Sequence, residues 1–184
     1  MTKNIEIEFK TVISENKYVE LIKLFDLENN IFKQVNHYFD TDSFSLNAKS
    51  IVLRIRQKGE HRYKVTLKSQ GDKEAYENHV LLTEEQAKDM IKNGFNTQDF
   101  FDTIDPCFVT FKASLDNYRA STPFASGTLF FDRCDYCGTT DYELEYEASN
   151  YDEGKNTFEN FISSKNIGFI ATKRKSERAF TCKR

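Results

Sequence analysis

The sequence predicts an α+β protein: an eight-stranded antiparallel β-barrel, closed as a tunnel, with helices on its periphery. Three observations carry this. Eight stretches read as strands, mostly separated by short turn signals. At least four of them put charged residues on one face and apolar residues on the other. Between them lie segments with apolar residues at helical spacing. Regular short strands alone fit a barrel or a sandwich. Charged faces on so many strands point to a sheet closed around a polar lumen, its apolar faces turned outward under helices and loops.

The first strand is expected over 3–12. Its core, Ile5–Lys10, puts Glu6, Glu8 and Lys10 on one face and Ile5, Ile7 and Phe9 on the other. Ser14 is a predicted N-cap for a helix over 15–27, where Tyr18, Leu21, Ile22 and Phe25 form one apolar stripe. A strand is expected at 34–41 and a loop at 43–47. Strands at 51–58 and 62–69 flank Gly59-Glu60-His61, a hairpin turn. Arg54, Arg56 and Lys58 alternate with Leu53, Ile55 and Gln57, and Lys64 and Lys68 flank Thr66 opposite Val65 and Leu67.

A strand at 75–82 follows. Thr83 with Gln86 forms a capping box for a helix to about Asn93, with Gly94 past its end. A short helix is expected at 97–103. Strands at 107–120 and 126–135 are separated by a turn at 121–126 containing Pro123. On the strand at 139–149, Asp141, Glu143, Glu145 and Glu147 alternate with Tyr142, Leu144 and Tyr146. A helix is expected over 153–166, and 172–181 reads as extended.

At 184 residues the chain is expected to form one domain, 1–184. The net charge of −3 argues against a nucleic-acid protein with a strongly basic surface. No stretch is apolar enough to span a bilayer, and MTKNIEIEFK lacks a signal-peptide run, so a cytoplasmic protein is expected, with no membrane partner. Self-association into a homodimer is left open. Cys134 and Cys137 form a CxxC pair, but no second pair supports a zinc site. Reduced thiols near a hairpin turn at Gly138 are the preferred reading.

The charges assigned to inner faces are the acids Glu6, Glu8, Glu143, Glu145 and Glu147, and the bases Lys10, Arg54, Arg56, Lys64, Lys68 and Arg119, with Lys173 and Lys175 added. Enclosed charges require compensation. A metal-bound polyphosphate would supply it, carboxylates holding Mg2+ or Mn2+ in part-hydrated coordination and arginines and lysines gripping phosphate oxygens. The alternative is a plain barrel with salt bridges across its lumen, disfavoured because bases exceed acids. No G-x-x-x-x-G-K-[ST] loop is present, which excludes a P-loop enzyme.

The ordered motifs resemble the CYTH superfamily, the triphosphate tunnel metalloenzymes, and within it the YjbK-like bacterial branch. Glu6-x-Glu8-x-Lys10 is similar to the family's ExExK signature. His37-Tyr-Phe-Asp-Thr41, Leu53-Arg-Ile-Arg56 and Lys64-Val-Thr-Leu-Lys68 resemble successive family strands. Asp132, Tyr142-Glu-Leu-Glu145 and the segment 172–178 resemble the later ones. The resemblance implies an eight-stranded tunnel. It implies Glu6, Glu8, Glu143 and Glu145 as metal ligands, and Lys10, Arg54, Arg56, Lys64, Lys68, Arg119 and Lys173 as phosphate-binding residues, with Lys175 the alternative register at the last position. Of Glu74 and Glu77, Glu77 is taken as the inward one. The expected activity is metal-dependent hydrolysis of a small triphosphate, inorganic triphosphate in the first place. A second metal or a carboxylate, Glu8 or Glu145, is expected to position or deprotonate the attacking water, with Lys10 also placed among the catalytic residues. Alternatives on the same scaffold are an adenylate cyclase, a thiamine triphosphatase, or a protein that only binds polyphosphate or nucleotide.

Overall fold

A computed structural model describes residues 3–182. Strand β1 (Lys3–Ile13) leads into helix α1 (Glu15–Leu24), whose first turn is capped by Ser14 Oγ accepting from Lys17 N–H. The helix stops at Leu24, short of the expected 27, because Asp26 takes a left-handed conformation with φ 54°.

Strand β2 (Phe32–Asp40) is followed by the one-turn helix α2 (Ser45–Ala48), where a loop was expected. The Asp40 carboxylate accepts from the Leu46 and Asn47 backbone N–H groups at 3.0 and 2.9 Å, which satisfies donors that a loop would leave to water. Strands β3 (Ile51–Lys58), β4 (Arg62–Gln70) and β5 (Ala75–Leu82) then run as an antiparallel meander. Helix α3 (Glu84–Asn93) carries the expected capping box between Thr83 and Gln86. Gly94 ends it at φ 76°, where a Cβ would also strike the Val109 carbonyl.

The helix expected at 97–103 is a 3₁₀ turn at Thr97–Asp99, preceded by the two-residue strand β6 (Phe95–Asn96). Strand β7 (Phe108–Phe124) runs through Pro123, so the predicted turn shrinks to Ala125-Ser126 before β8 (Gly127–Tyr136). Pro123 is tolerated because it lies opposite Thr128, one step from the closing pair Phe124–Gly127. In a two-residue hairpin the closing pair exchanges hydrogen bonds and the next pair does not, so the missing N–H removes no bond to β8. Strand β9 (Thr139–Ala148) and helix α4 (Tyr151–Ser164) follow, the latter capped by Asn150 and starting two residues earlier than expected. The segment read as extended at 172–181 instead contains α5 (Lys175–Phe180), with Glu177 accepting from the Arg174 N–H at its start.

The strand order is β2-β3-β4-β5-β1-β9-β8-β7-β6, and β2 also pairs with β7. The eight long strands therefore form the closed antiparallel barrel that the charge alternation predicts, with helices peripheral to it. The chain divides into two compact units. In the unit built on Gln34–Leu115, Leu53, Ile55, Val65 and Leu67 bury against Phe39, Met90 and Phe101. In the unit of Glu6–Lys33 and Asp116–Lys173, Leu21 and Ile22 of α1 and Phe158, Phe161 and Ile162 of α4 bury against Leu129, Phe131 and Leu144. Each such side chain contributes about 1.5–3 kcal/mol on burial. Gly154 sets the approach of α4: a Cβ there would strike the Ala148 Cβ and the Phe9 ring. No helix among the described residues is long and apolar enough to cross a membrane.

Candidate active site

Register decides which charges share a face, because directly paired residues in an antiparallel ladder point the same way. In the Gln34–Leu115 unit, Asn36 pairs with Arg56 and Arg56 with Lys64. One step along, Tyr38 pairs with Arg54, Arg54 with Thr66, and Thr66 with His79. The next row is Val52, Lys68 and Glu77. Arg54, Arg56, Lys64 and Lys68 thus occupy one face, and the other face carries the apolar core.

Glu77 lies among these cations, buried, with its carboxylate 3.3 Å from Arg54 Nη2 and 3.7 Å from Lys64 Nζ. Burial opposes its ionisation, but Arg54, Lys64, Arg56 and Lys68 together hold its carboxyl below the ordinary range. Arg54, Arg56, Lys64 and Lys68 thus all act on the one carboxylate of Glu77. Glu74 lies just before β5 and accepts from the Tyr76 hydroxyl instead. Tyr38 is buried with its ring edge-on to Phe180, and Asp40 caps α2, so both serve the fold.

The second face is acidic. Glu8 pairs with Glu147 and Lys10 with Glu145 across β1 and β9, while Asp132 of β8 pairs with Glu143. Like charges directly opposite are unfavourable unless something intervenes. Lys10 Nζ lies 3.1 Å from Glu8 Oε1. Burial, with Glu6, Glu145 and Glu8 nearby, pushes the Glu147 carboxyl up to about 7 against the pull of Arg119. Glu143, Glu145 and Asp132 are buried.

Arg119 sits within this acidic face. It forks onto Asp132, Nε to Oδ1 at 2.7 Å and Nη2 to Oδ2 at 2.6 Å, and its Nη2 also bonds Glu145. Its guanidinium lies 4.4 Å from the Phe130 ring centroid. Sequence reasoning placed Arg119 as a phosphate grip and Glu145 as a metal ligand; the structure pairs the two. Asp132 enters the sequence reading only as part of a motif, and its visible signal is an acid directly after the apolar run Leu129–Phe131.

Lys173 is exposed in a stretch without regular structure, and Lys175 is half-buried in the first turn of α5. Strand alternation therefore does not govern either lysine. Of the CxxC pair, Cys134 is buried with its Sγ 3.9 Å from Asn117 Oδ1, whereas Cys137 is disulfide-bonded. The expectation of two reduced thiols is corrected for Cys137. A cavity of about 580 Å³ lies under α4, lined by Phe9, Tyr151, Phe158, Ile162 and Phe169 among others. Glu8, Lys10, Lys155 and Glu159 also line it, so its wall mixes aromatic and charged side chains.

Residues 4–180 match the family model for the CYTH domain. The chain belongs to the CYTH domain family. YjbK of Bacillus subtilis, provisionally named a triphosphatase, is 34% identical to it over 188 aligned positions, covering 100% of this chain and 98% of YjbK. A Bacillus halodurans crystal structure, provisionally described as an adenylate cyclase, is 30% identical with a TM-score of 0.88, covering 98% of this chain and 100% of that one. The HpAC1 protein of Hippeastrum shares the fold at 19% identity, with a TM-score of 0.71 and coverage of 96% and 94%.

The CYTH motifs map onto the two faces just described. Glu6, Glu8 and Lys10 of β1 and Glu143, Glu145 and Glu147 of β9 belong to one unit, and Arg54, Arg56, Lys64 and Lys68 to the other.

Proposed function

We propose that this chain is a divalent-metal-dependent triphosphatase whose substrate is a small triphosphate, with inorganic triphosphate the first candidate. The observation that carries the reading is the contrast of the two faces: one concentrates carboxylates beyond what its own bases offset, and the other concentrates cations around the single carboxylate Glu77. Such faces suit a ligand that brings both a divalent cation and a polyanion. The name borne by the 34% identical relative agrees with this.

The donor set fits Mg2+ or Mn2+, since it is all oxygen; the Glu147 carboxyl is raised first by burial and then by Glu6, Glu145 and Glu8 against the pull of Arg119. No three acidic, histidine or cysteine side chains among the described residues converge on one metal position. Mg2+ ordinarily takes one or two carboxylates and completes its shell with water and substrate phosphate, so this arrangement suits it. Glu6, Glu8, Glu143 and Glu145 are the carboxylates from which the one or two protein ligands are proposed to come. When bound, the metal polarises phosphoryl oxygens and lowers the pKa of nearby water.

Arg54, Arg56, Lys64 and Lys68 bind the phosphate oxygens and offset charge as the terminal phosphoryl moves in line to water. Whichever of Glu8, beside Lys10, and Glu145 is not engaged by the metal positions that water or accepts its proton. Arg119, forked onto Asp132 and bonded to Glu145, holds the Glu145 carboxylate in place.

The second reading is an ATP-cyclising enzyme, favoured by the description of the 30% identical structure. The purified protein, incubated with triphosphate, thiamine triphosphate, ATP and GTP in Mg2+ or Mn2+, separates them. EDTA-sensitive phosphate release supports the triphosphatase, and cyclic AMP supports the cyclase.

A further inference from the structure

Arg56 and Arg119 are anchored by different chemistry. Arg119 is tied to a carboxylate, Asp132, which offsets its charge. Arg56 donates its Nε–H to the neutral amide oxygen Asn36 Oδ1 at 2.9 Å, straight across the β2–β3 ladder. An amide acceptor orients a guanidinium without neutralising it. The bond uses the Nε edge and so fixes the direction of the rest of the planar fork.

Asn36 is fully buried, and its Nδ2 has no hydrogen-bond partner among the described residues. A buried amide donor left unsatisfied costs about 1–3 kcal/mol, so its retention calls for a role beyond packing. Because Oδ1 is committed to Arg56, the amide orientation is set and Nδ2 is the end that remains to donate.

We infer that Asn36 is a positioning residue for the phosphate grip: Oδ1 aims Arg56, and the Nδ2–H group donates to a phosphoryl oxygen of the bound triphosphate. This rests on the triphosphatase reading above. It assigns the same row of the sheet a charged fork and a neutral donor.

The test measures the dissociation constant for inorganic triphosphate by calorimetry, with kcat and KM for its hydrolysis, in wild type, Asn36→Leu, Asn36→Asp, Arg56→Ala and the Asn36→Leu/Arg56→Ala double variant. Asn36→Leu removes both amide functions at similar volume. Asn36→Asp keeps the acceptor for Arg56, removes the donor and adds a negative charge, so it remains informative if the leucine variant does not fold. Each single Asn36 variant is expected to weaken triphosphate binding about tenfold or more, in the range of lost hydrogen bonds to charged groups, with KM moving more than kcat. In the Arg56→Ala background, Asn36→Leu is expected to cost clearly less than it does alone.

Binding within twofold of wild type in both Asn36 variants, while Arg56→Ala loses affinity, overturns the assignment of Asn36 alone. Fully additive losses in the cycle also overturn it, since a residue that merely supports the strand would behave that way. If wild type itself neither binds nor hydrolyses triphosphate, the functional reading falls and this inference falls with it.

Discussion

Arg119 and Asp132 face each other across β7 and β8 and join through two parallel hydrogen bonds of 2.7 and 2.6 Å. Asp132 is fully buried, and Arg119 also bonds Glu145, so this pair organises the acidic face from within. Burial works against the Arg119 charge, but Asp132 and Glu145 raise its pKa well above the usual guanidinium value.

Removing the Asp132 charge leaves Arg119 with one partner fewer in a buried setting. Asp132→Asn is expected to destabilise the fold by about 3–5 kcal/mol, the usual cost of breaking a buried pair from one side. Urea unfolding checks this; a loss within 0.5 kcal/mol, the scale of an ordinary surface change, would mean the fork carries no structural role.

The Glu147 carboxyl gives a pH signature with a defined sign. Its folded pKa of about 7 lies above the ordinary carboxylate value, so the folded state binds more protons between about pH 4.5 and 7. Stability from this residue is complete below that window and is lost as pH rises through about 7. Allowing for solvent screening, the effect is on the order of 1 kcal/mol. Melting curves of wild type and Glu147→Gln across pH 5–8 without metal should diverge, the wild type falling more steeply. Parallel curves would contradict the crowding of Glu147 by Glu6, Glu145 and Glu8.

The β1 carboxylates are proposed to serve the chemistry. Glu6→Gln and Glu8→Gln should each abolish measurable turnover, a loss of about 100-fold or more, while far-UV circular dichroism and melting temperature stay near wild type. Unchanged rates would remove these residues from the site.

Gly154 tests the packing of α4. Gly154→Ala drives a Cβ into Ala148 and Phe9 and should cost about 1–3 kcal/mol by overpacking. A variant as stable as wild type would show that α4 can shift outward freely.

Much of this was legible from period alone. Alternation in Ile5–Lys10, Arg54–Lys58 and Tyr142–Glu147 placed both charged faces, because a strand allows only two directions for a side chain. Three features were not legible. The helix α5 was hidden in a charged run without an apolar stripe, and its start rests on Glu177 reaching back to Arg174. Strand β7 continued through Pro123 because the hairpin register put that residue at a position needing no N–H toward β8. Pairing of Arg119 with Asp132 and Glu145 depends on the register of three strands, which no local pattern encodes.

The central proposal is metal-dependent hydrolysis of triphosphate that needs both the β1 carboxylates and the β3 and β4 cations. Phosphate release from inorganic triphosphate tests it most directly, measured with Mg2+ or Mn2+ and with EDTA for wild type, Glu8→Gln and Arg54→Ala. The account predicts turnover by wild type with metal, none with EDTA, and severe loss in both variants. Metal-independent turnover, or wild-type rates after removal of either charge, would contradict it.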